Sequence, residues 1–351
     1  MPSPTDFNLS PYFDDFTESK KFHRVLFRPA FAVQARELTQ SQSLLQNQIE
    51  KFGDHVFKQG SIVIPGGVAF DDKYYAVKLT SIASANTLAQ FTTGTIITGG
   101  TSGVVAEIIG TDALVDSDPD TLYVKYEKTG SNNIAFVFSD GETITGTNSD
   151  SVSLSCVCST TATGSAAIGA AGTYYINGYF VQADAETLIL DKYTNTPSYR
   201  IGYTITESFV TPNDDLTLND NATGSSNVNA PGAHRFKILL TLTKKTLSST
   251  EDSNFFEILR VENGNIKGQA RATEYNILAE TLARRTFDES GDYVLVNPEF
   301  DVREHLISGT NRGINTGGNG GLETKMAIGV SPFKAYVNGY EAEVLSTTYV
   351  D

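Results

Sequence analysis

Apolar residues keep a helical spacing in only one long stretch near the N-terminus, and alternate almost everywhere after it. From Ala32 to Phe52 there is no Gly or Pro, strong helix formers dominate, and Phe31, Ala35, Leu38, Leu45, Ile49 and Phe52 fall on one narrow stripe. Leu38, Leu45 and Phe52 recur at every seventh residue, the width of a coiled-coil seam. Ser41 and Gln42 interrupt the stripe, and the helix is rich in amides (Gln34, Gln40, Gln46, Asn47, Gln48). Two readings follow: an amphipathic helix packed on its own domain, or one that self-associates about a two- or three-fold axis through Leu38, Leu45, Ile49 and Phe52. Gly53 is the expected stop.

The residues before this helix, with Pro2, Pro4, Pro11 and Pro29 among dense aromatics, cannot form one regular element. They predict an extended arm over 1–30. Phe7, Tyr12, Phe13, Phe22 and Phe27 need a groove on the same subunit or on a neighbour. Lys20, Lys21, Arg24 and Arg28 give the arm a positive end that suits an acidic surface.

After Gly53 the alternating, β-branched pattern predicts strands. Gly60-Ser-Ile-Val-Ile-Pro-Gly-Gly-Val-Ala-Phe70, Gly172-Thr-Tyr-Tyr-Ile-Asn-Gly-Tyr-Phe-Val-Gln182 and Phe333-Lys-Ala-Tyr-Val-Asn-Gly-Tyr-Glu-Ala-Glu343 resemble one another and read as strand, tight turn, strand. Asn177-Gly178 and Asn338-Gly339 suit a two-residue type I′ turn, which needs positive φ at both positions. Pro65-Gly66 points to a type II turn instead. A lone hairpin is marginal in water, so each predicts a larger sheet. The third is expected to be completed by a partner, or to continue in a longer chain, because little sequence follows it.

Between the first two copies, 87–159 reads as an inserted β-barrel or sandwich of short Gly-separated strands. From Glu107 to Asp150 it carries nine acids against Lys125 and Lys128, a solvated module projecting from the body. Residues 249–330 read as a helical connector: Ser249–Ser253 offer capping oxygens before Phe255, Phe256, Ile258 and Leu259, and Tyr275, Leu278 and Leu282 form a second amphipathic stripe. The expected organisation is the arm (1–30), an oligomerisation helix with a first β-hairpin unit (31–86), the inserted acidic β domain (87–159), a second β unit (160–248), the helical connector (249–330) and the start of a third β unit (331–351). The fold class is mainly β with a few helices.

Charge and chemistry narrow the function. With 26 Lys and Arg against 41 Asp and Glu among 351 residues, the net charge of −15 repels a phosphate backbone, so no nucleic-acid partner is expected. No run approaches the ~20 apolar residues of a membrane span. Cys156 and Cys158 would share one strand face, a spacing that suits neither a disulfide nor a zinc site. His23, His55, His234 and His305 are scattered, and His305 beside Glu304 reads as a packing residue. Gly317-Gly-Asn-Gly-Gly321 lacks the Lys-Ser/Thr of a phosphate loop. Asp116-Ser-Asp-Pro-Asp120 with Glu127 mimics a calcium loop, but Thr121 stands where the sharp turn needs Gly. No catalytic, cofactor-binding or metal-binding residue is therefore expected, and no enzyme.

The block Asn8-Leu-Ser-Pro-Tyr-Phe-Asp-Asp-Phe-Thr-Glu-Ser-Lys-Lys-Phe-His-Arg-Val-Leu-Phe-Arg-Pro29, with Val33-Gln-Ala-Arg-Glu-Leu-Thr-Gln40 and Leu45-Gln-Asn-Gln-Ile-Glu50, resembles a family of tailed-bacteriophage virion proteins of uncharacterised domain type. Arg285-Thr-Phe-Asp-Glu-Ser-Gly-Asp-Tyr293 and Ala335-Tyr-Val-Asn-Gly-Tyr-Glu341 look like the same family's internal motifs. The resemblance implies a structural protein of the baseplate or tail-fibre region of a contractile tail. Its partners would be other tail proteins, its site the virion, its assembly in the host cytoplasm, and its state a homotrimer. The alternative from the residues is a receptor- or glycan-binding tail protein with the inserted β domain as its head, although the chain has no Trp for sugar stacking.

Overall fold

The computed structural model describes residues 5–64, 66–130, 133–222, 224–250, 252–270, 275, 277–317 and 321–350. Pro2 and Pro4 of the arm, Pro65 of the first turn and most of the Gly317–Gly321 run lie outside them. The fold is mainly β, with two α-helices among the described residues.

Helix α1 (Ala35–Val56) starts where the Gln34 N–H donates to the Glu37 carboxylate at 2.9 Å. It runs through Gly53 rather than stopping there. A Cβ on residue 53 would stand 2.4 Å from the Tyr175 ring, so this glycine permits a close approach inside the helix. The chain turns out only at Phe57, whose N–H bonds the Gly53 carbonyl.

Strands β1 (Ile62–Ile64), β2 (Gly67–Ile82), β3 (Ile96–Gly99), β4 (Val105–Asp112), β5 (Thr121–Lys128), β6 (Thr143–Thr147), β7 (Ser153–Ala170), β8 (Gly172–Ile176), β9 (Tyr179–Ala183) and β10 (Glu186–Asp191) follow. The stretch 60–70 is not a hairpin: β1 pairs with β8 in the sheet β1-β8-β9, while β2 leaves for another sheet. The β8–β9 hairpin does turn at Asn177-Gly178, both at positive φ. Antiparallel pairing runs β7-β2-β5-β4-β3-β6, and β6 returns to β7, which closes a six-stranded barrel with β10 attached to the other end of β7. The barrel thus takes two walls from long strands that also reach the neighbouring units. Val77, Leu79, Ile97, Ile108, Leu122, Val124, Ile144 and Leu154 fill it. Cys156 and Cys158 point into the same core, and burial pushes the Cys156 thiol up to about 12 and the Cys158 thiol up to about 11, so neither is a thiolate at neutral pH.

A second layer comes from β11 (Tyr199–Val210), β14 (Arg235–Thr246), β15 (Phe255–Glu262) and β16 (Asn265–Gln269), in the order β14-β11-β15-β16; the small pair β12 (Asn219–Asp220) and β13 (Asn227–Pro231) lies in the intervening loop. Residues 255–262, expected to be helical, are therefore a strand. Its pairing with β16 turns at Asn263-Gly264, again both at positive φ, and its apolar residues bury against β11. Arg200 is fixed in this layer by Asp252 at 2.6 Å and Glu257 at 2.5 Å. The main core joins the layer to the first unit: Ile62, Val68, Ala167, Tyr174 and Ile176 pack with Ile201, Tyr203, Leu240, Leu242 and Leu259.

Helix α2 (Ile277–Ser290) leads to β17 (Tyr293–Val296), β18 (Phe300–Glu304), β19 (Met326–Val330), β20 (Phe333–Val337), β21 (Tyr340–Val344) and β22 (Thr348–Val350), which form the sheets β17-β20-β21 and β18-β19-β22. The third hairpin, expected to be completed by a partner or by a longer chain, pairs with β17 of its own chain.

These elements repeat the first unit. Helix, strand, antiparallel pair, hairpin and closing strand recur in the same order, with β1-β8-β9 matching β17-β20-β21, and β10-β7-β2 matching β22-β19-β18. Register agrees residue by residue. Ile62 faces Tyr174 and Ile64 faces Thr173 across a bulge; Val294 faces Ala335 and Val296 faces Lys334 across a bulge at the same place. Val68 faces Gly169 as Phe300 faces Val330, and Gly169 faces Glu186 as Val330 faces Thr348. The duplicated unit is therefore far larger than the hairpin motif, and the barrel is an insertion in its first copy.

Candidate assembly surface

Helix α1 packs with its polar side inward. Gln46 donates to the Gly178 carbonyl at 2.6 Å, and the Tyr175 hydroxyl reaches the Glu50 carbonyl at 3.1 Å and the Asp54 carboxylate at 2.8 Å. Leu44 and Gly53 are its buried residues. Burial, reinforced by neighbouring Asp54, raises the Glu50 carboxyl above the ordinary carboxylate range. The apolar stripe faces outward: Leu38, Leu45, Ile49 and Phe52 are 45 to 68 % exposed. A four-residue apolar stripe in water is the reverse of the usual amphipathic arrangement.

The arm divides. Phe7 packs edge-on against Phe209 and Phe236, with ring centroids at 6.0 and 5.0 Å, and Tyr12 lies 5.1 Å from Phe209 with its hydroxyl 2.8 Å from His234. Asp14 is buried and accepts from the Ser43 hydroxyl, while Asp15 holds Lys20 at 2.8 Å and the Gln40 amide at 2.6 Å. This part is seated on its own chain. Phe13, Phe22 and Phe27 are more than half exposed, as are Leu26 and Phe31, and Arg24 and Arg28 lie exposed beside them. The Arg28 guanidinium sits 4.6 Å over the Phe31 ring.

Further apolar residues lie exposed outside the α1 stripe and the arm. Leu278, Leu282 and Phe287 of α2 stay exposed, and α2 approaches α1 through Tyr275, whose ring stacks on Phe57 at 6.3 Å. Residues 293–296, 300–304 and 326–330, expected to lie in a helical connector, are instead the strands β17, β18 and β19, and their apolar residues Val294, Val296, Phe300, Val302, Met326 and Ile328 lie exposed.

The match to a family spans these features. Residues 10–106 and 117–348 fit one family profile, described as a domain of unknown function, DUF4815. The chain belongs to the DUF4815 family. The profile takes in the arm from Ser10, α1 and both copies of the duplicated unit of this DUF4815 chain. No curated protein and no solved structure matches it.

The chemistry candidates resolve into structure. Asp118 of the calcium-like loop takes Lys192 at 2.9 Å and the Tyr193 hydroxyl, with Lys78 at 3.7 Å, and Asp120 accepts from the Leu114 N–H at 2.8 Å. These carboxylates brace the base of the barrel. His305 is buried, accepts the Leu322 N–H on Nδ1 at 3.1 Å and meets the Asn315 amide at 3.2 Å, which ties up the loop between β18 and β19. Among the described residues, no group of three His, Cys, Asp or Glu is placed to hold a metal ion.

Proposed function

We infer that this DUF4815 chain is a structural subunit of a tailed-phage virion, in the baseplate or at the tail-fibre attachment, assembled as a homotrimer in the host cytoplasm with other tail proteins as its partners. The observation that supports this most is the outward apolar stripe of α1. Leu38, Leu45 and Phe52 at heptad spacing, with Ile49 beside them, form a seam that one helix cannot cover and that copies around a three-fold axis cover symmetrically. The virion setting rests on the resemblance of the blocks 8–29, 285–293 and 335–341. The role is architectural, and no catalytic step belongs to it.

Solution mass tests the assembly. Sedimentation of the full chain is expected to give a trimer, and Leu45→Asp a monomer that still unfolds cooperatively, because Leu45 is exposed within a single chain. A monomer at every concentration of the unaltered chain overturns the reading. Gold-labelled antibody to the chain is expected to mark the tail end of intact particles, and labelling of the capsid alone refutes the location.

A further inference from the structure

The duplication sets one dipeptide twice in one kind of turn. Tyr175-Ile-Asn-Gly-Tyr179 joins β8 to β9 and Tyr336-Val-Asn-Gly-Tyr340 joins β20 to β21. Their backbones agree: Asn177 and Gly178 have φ of +49 and +86, Asn338 and Gly339 of +51 and +77. Asn-Gly cyclises readily, because the glycine carries no side chain to shield its nitrogen from the asparagine carboxamide. Local sequence and turn geometry give the two asparagines equal reactivity, so only their surroundings separate them.

Asn177 is 9 % exposed, its carboxamide oxygen accepts from the Gln59 amide at 2.8 Å, and its carboxamide nitrogen donates to the Glu207 carboxylate at 2.9 Å. Its backbone N–H donates to the Gln59 carboxamide oxygen at 3.1 Å. Both ends of this side chain are fixed. Asn338 is exposed, and the Asp292 carboxylate holds its backbone N–H at 2.7 Å, but among the described residues nothing hydrogen-bonds its carboxamide. Asn263-Gly264, with φ of +48 and +74, stands between the two. The Asn263 carboxamide oxygen accepts the Ser198 hydroxyl at 3.3 Å, and the Gly264 N–H is engaged by the Pro197 carbonyl at 3.0 Å.

We propose that Asn338 is a site of spontaneous deamidation, and that Asn177 in the equivalent turn is protected from it. The Gly339 backbone nitrogen attacks Cγ of Asn338, the bond from Cγ to the carboxamide nitrogen breaks, and ammonia leaves with the proton that the peptide nitrogen gives up. Water then opens the cyclic imide. Attack at the side-chain carbonyl carbon leaves aspartate, and attack at the backbone carbonyl carbon leaves isoaspartate, in which the main chain runs through the former side chain. Either product adds a carboxylate beside Asp292. Isoaspartate also lengthens the turn by one backbone atom where there is no room for it: a Cβ on residue 339 would collide with the Ala283 carbonyl of α2. Conversion is therefore expected to loosen this hairpin from α2, whatever the assembly state of the chain.

Peptide mapping of the full chain tests it. The chain is incubated near neutral pH, either folded or in concentrated guanidinium chloride, and the amide-to-acid mass change at Asn177, Asn263 and Asn338 is followed with time, with isoaspartyl methyltransferase labelling to mark isoaspartate. In the denatured chain Asn177 and Asn338 are expected to convert at equal rates. In the folded chain Asn177 is expected to lag Asn338 by about tenfold or more, because the two hydrogen bonds on its carboxamide must break before it can cyclise. Gln59→Ala is expected to narrow that gap by speeding Asn177 while the rate at Asn338 stays unchanged. If Gln59→Ala does not fold, the comparison within the unaltered chain still decides. Equal rates at Asn177 and Asn338 in the folded chain overturn the proposal, and so does a folded Asn338 that stays intact over a time in which the denatured chain converts.

Discussion

Single residues here are fixed by what stands opposite them, and two show it well. Gly53 occupies a helix interior, where Ala is ordinarily favoured by ~1 kcal/mol. The Tyr175 ring at 2.4 Å from the missing Cβ is itself anchored through its hydroxyl to the Glu50 carbonyl and Asp54, so it cannot swing away freely. Gly53→Ala is therefore expected to lower stability by roughly 1–3 kcal/mol of overpacking, less the propensity gain. A rise in melting temperature would show that the ring yields. Glu142 in the barrel is the second case. Its buried carboxylate accepts the N–H groups of Thr101, Ser102 and Ser139 and the Ser102 hydroxyl, at 2.6 to 2.9 Å. Burial raises its pKa, yet these donors outweigh that and hold it below the ordinary value of 4.5. A depressed carboxyl stabilises the fold above its unfolded pKa and loses that contribution as pH falls through the folded one. Glu142→Ala is expected to cost about 2 kcal/mol at pH 7, since three backbone donors lose their acceptor. In urea titrations the gap between variant and parent should narrow as the pH falls below 4.5; an unchanged gap there would mean that charge plays no part.

At the level of elements, what the sequence made legible was whatever depended on neighbours along the chain. The Asn-Gly turns of β8–β9 and β20–β21 were readable because positive φ at two successive residues admits few sequences. The third such turn, Asn263-Gly264, carried the same signal, but the apolar run Phe255–Leu259 has no clear period, and capping oxygens before it favoured a helix; the register with β11 decides for strand. The stripe of α1 was legible, but not its direction, because which side a helix buries depends on partners distant in sequence, here Tyr175 and Gly178. Partnering of β1 with β8 across the whole barrel was equally invisible. The β15–β16 turn gives a test at this scale. Gly264 has φ +74, and a Cβ there would lie 2.7 Å from the Asn195 carbonyl. Gly264→Ala is expected to speed amide exchange in β15 and β16 while leaving the barrel strands protected; uniform loss of protection would show that the two layers unfold as one unit.

For the whole molecule, the duplicated unit sets the plan and the barrel is an addition to it. Its second copy joins β18 to β19 through a loop built around His305, where the first copy joins β2 to β7 through four further strands. The barrel has its own core, separate from the core that binds the first unit to its covering layer. At the junction β2 and β7 pair across a bulge, Phe70 with Ala167 and Asp71 with Ala166 before it and Tyr74 with Gly164 after it, and the part before the bulge matches β18 with β19. Because β2 and β7 are already adjacent and antiparallel there, a two-residue turn can connect them without moving either. Replacing residues 75–163 by Asn-Gly is therefore expected to give a chain that folds cooperatively and keeps the packing of Tyr174 and Tyr203. Its stability should fall, since Tyr74 and Ala166 lose the Tyr123 ring that buries them. Near-ultraviolet circular dichroism and thermal unfolding of the shortened chain give the answer. A cooperative transition with ordered tyrosines means that the barrel is a passenger on a self-sufficient frame, whereas a chain without tertiary signal means that the long strands are held together from the barrel end.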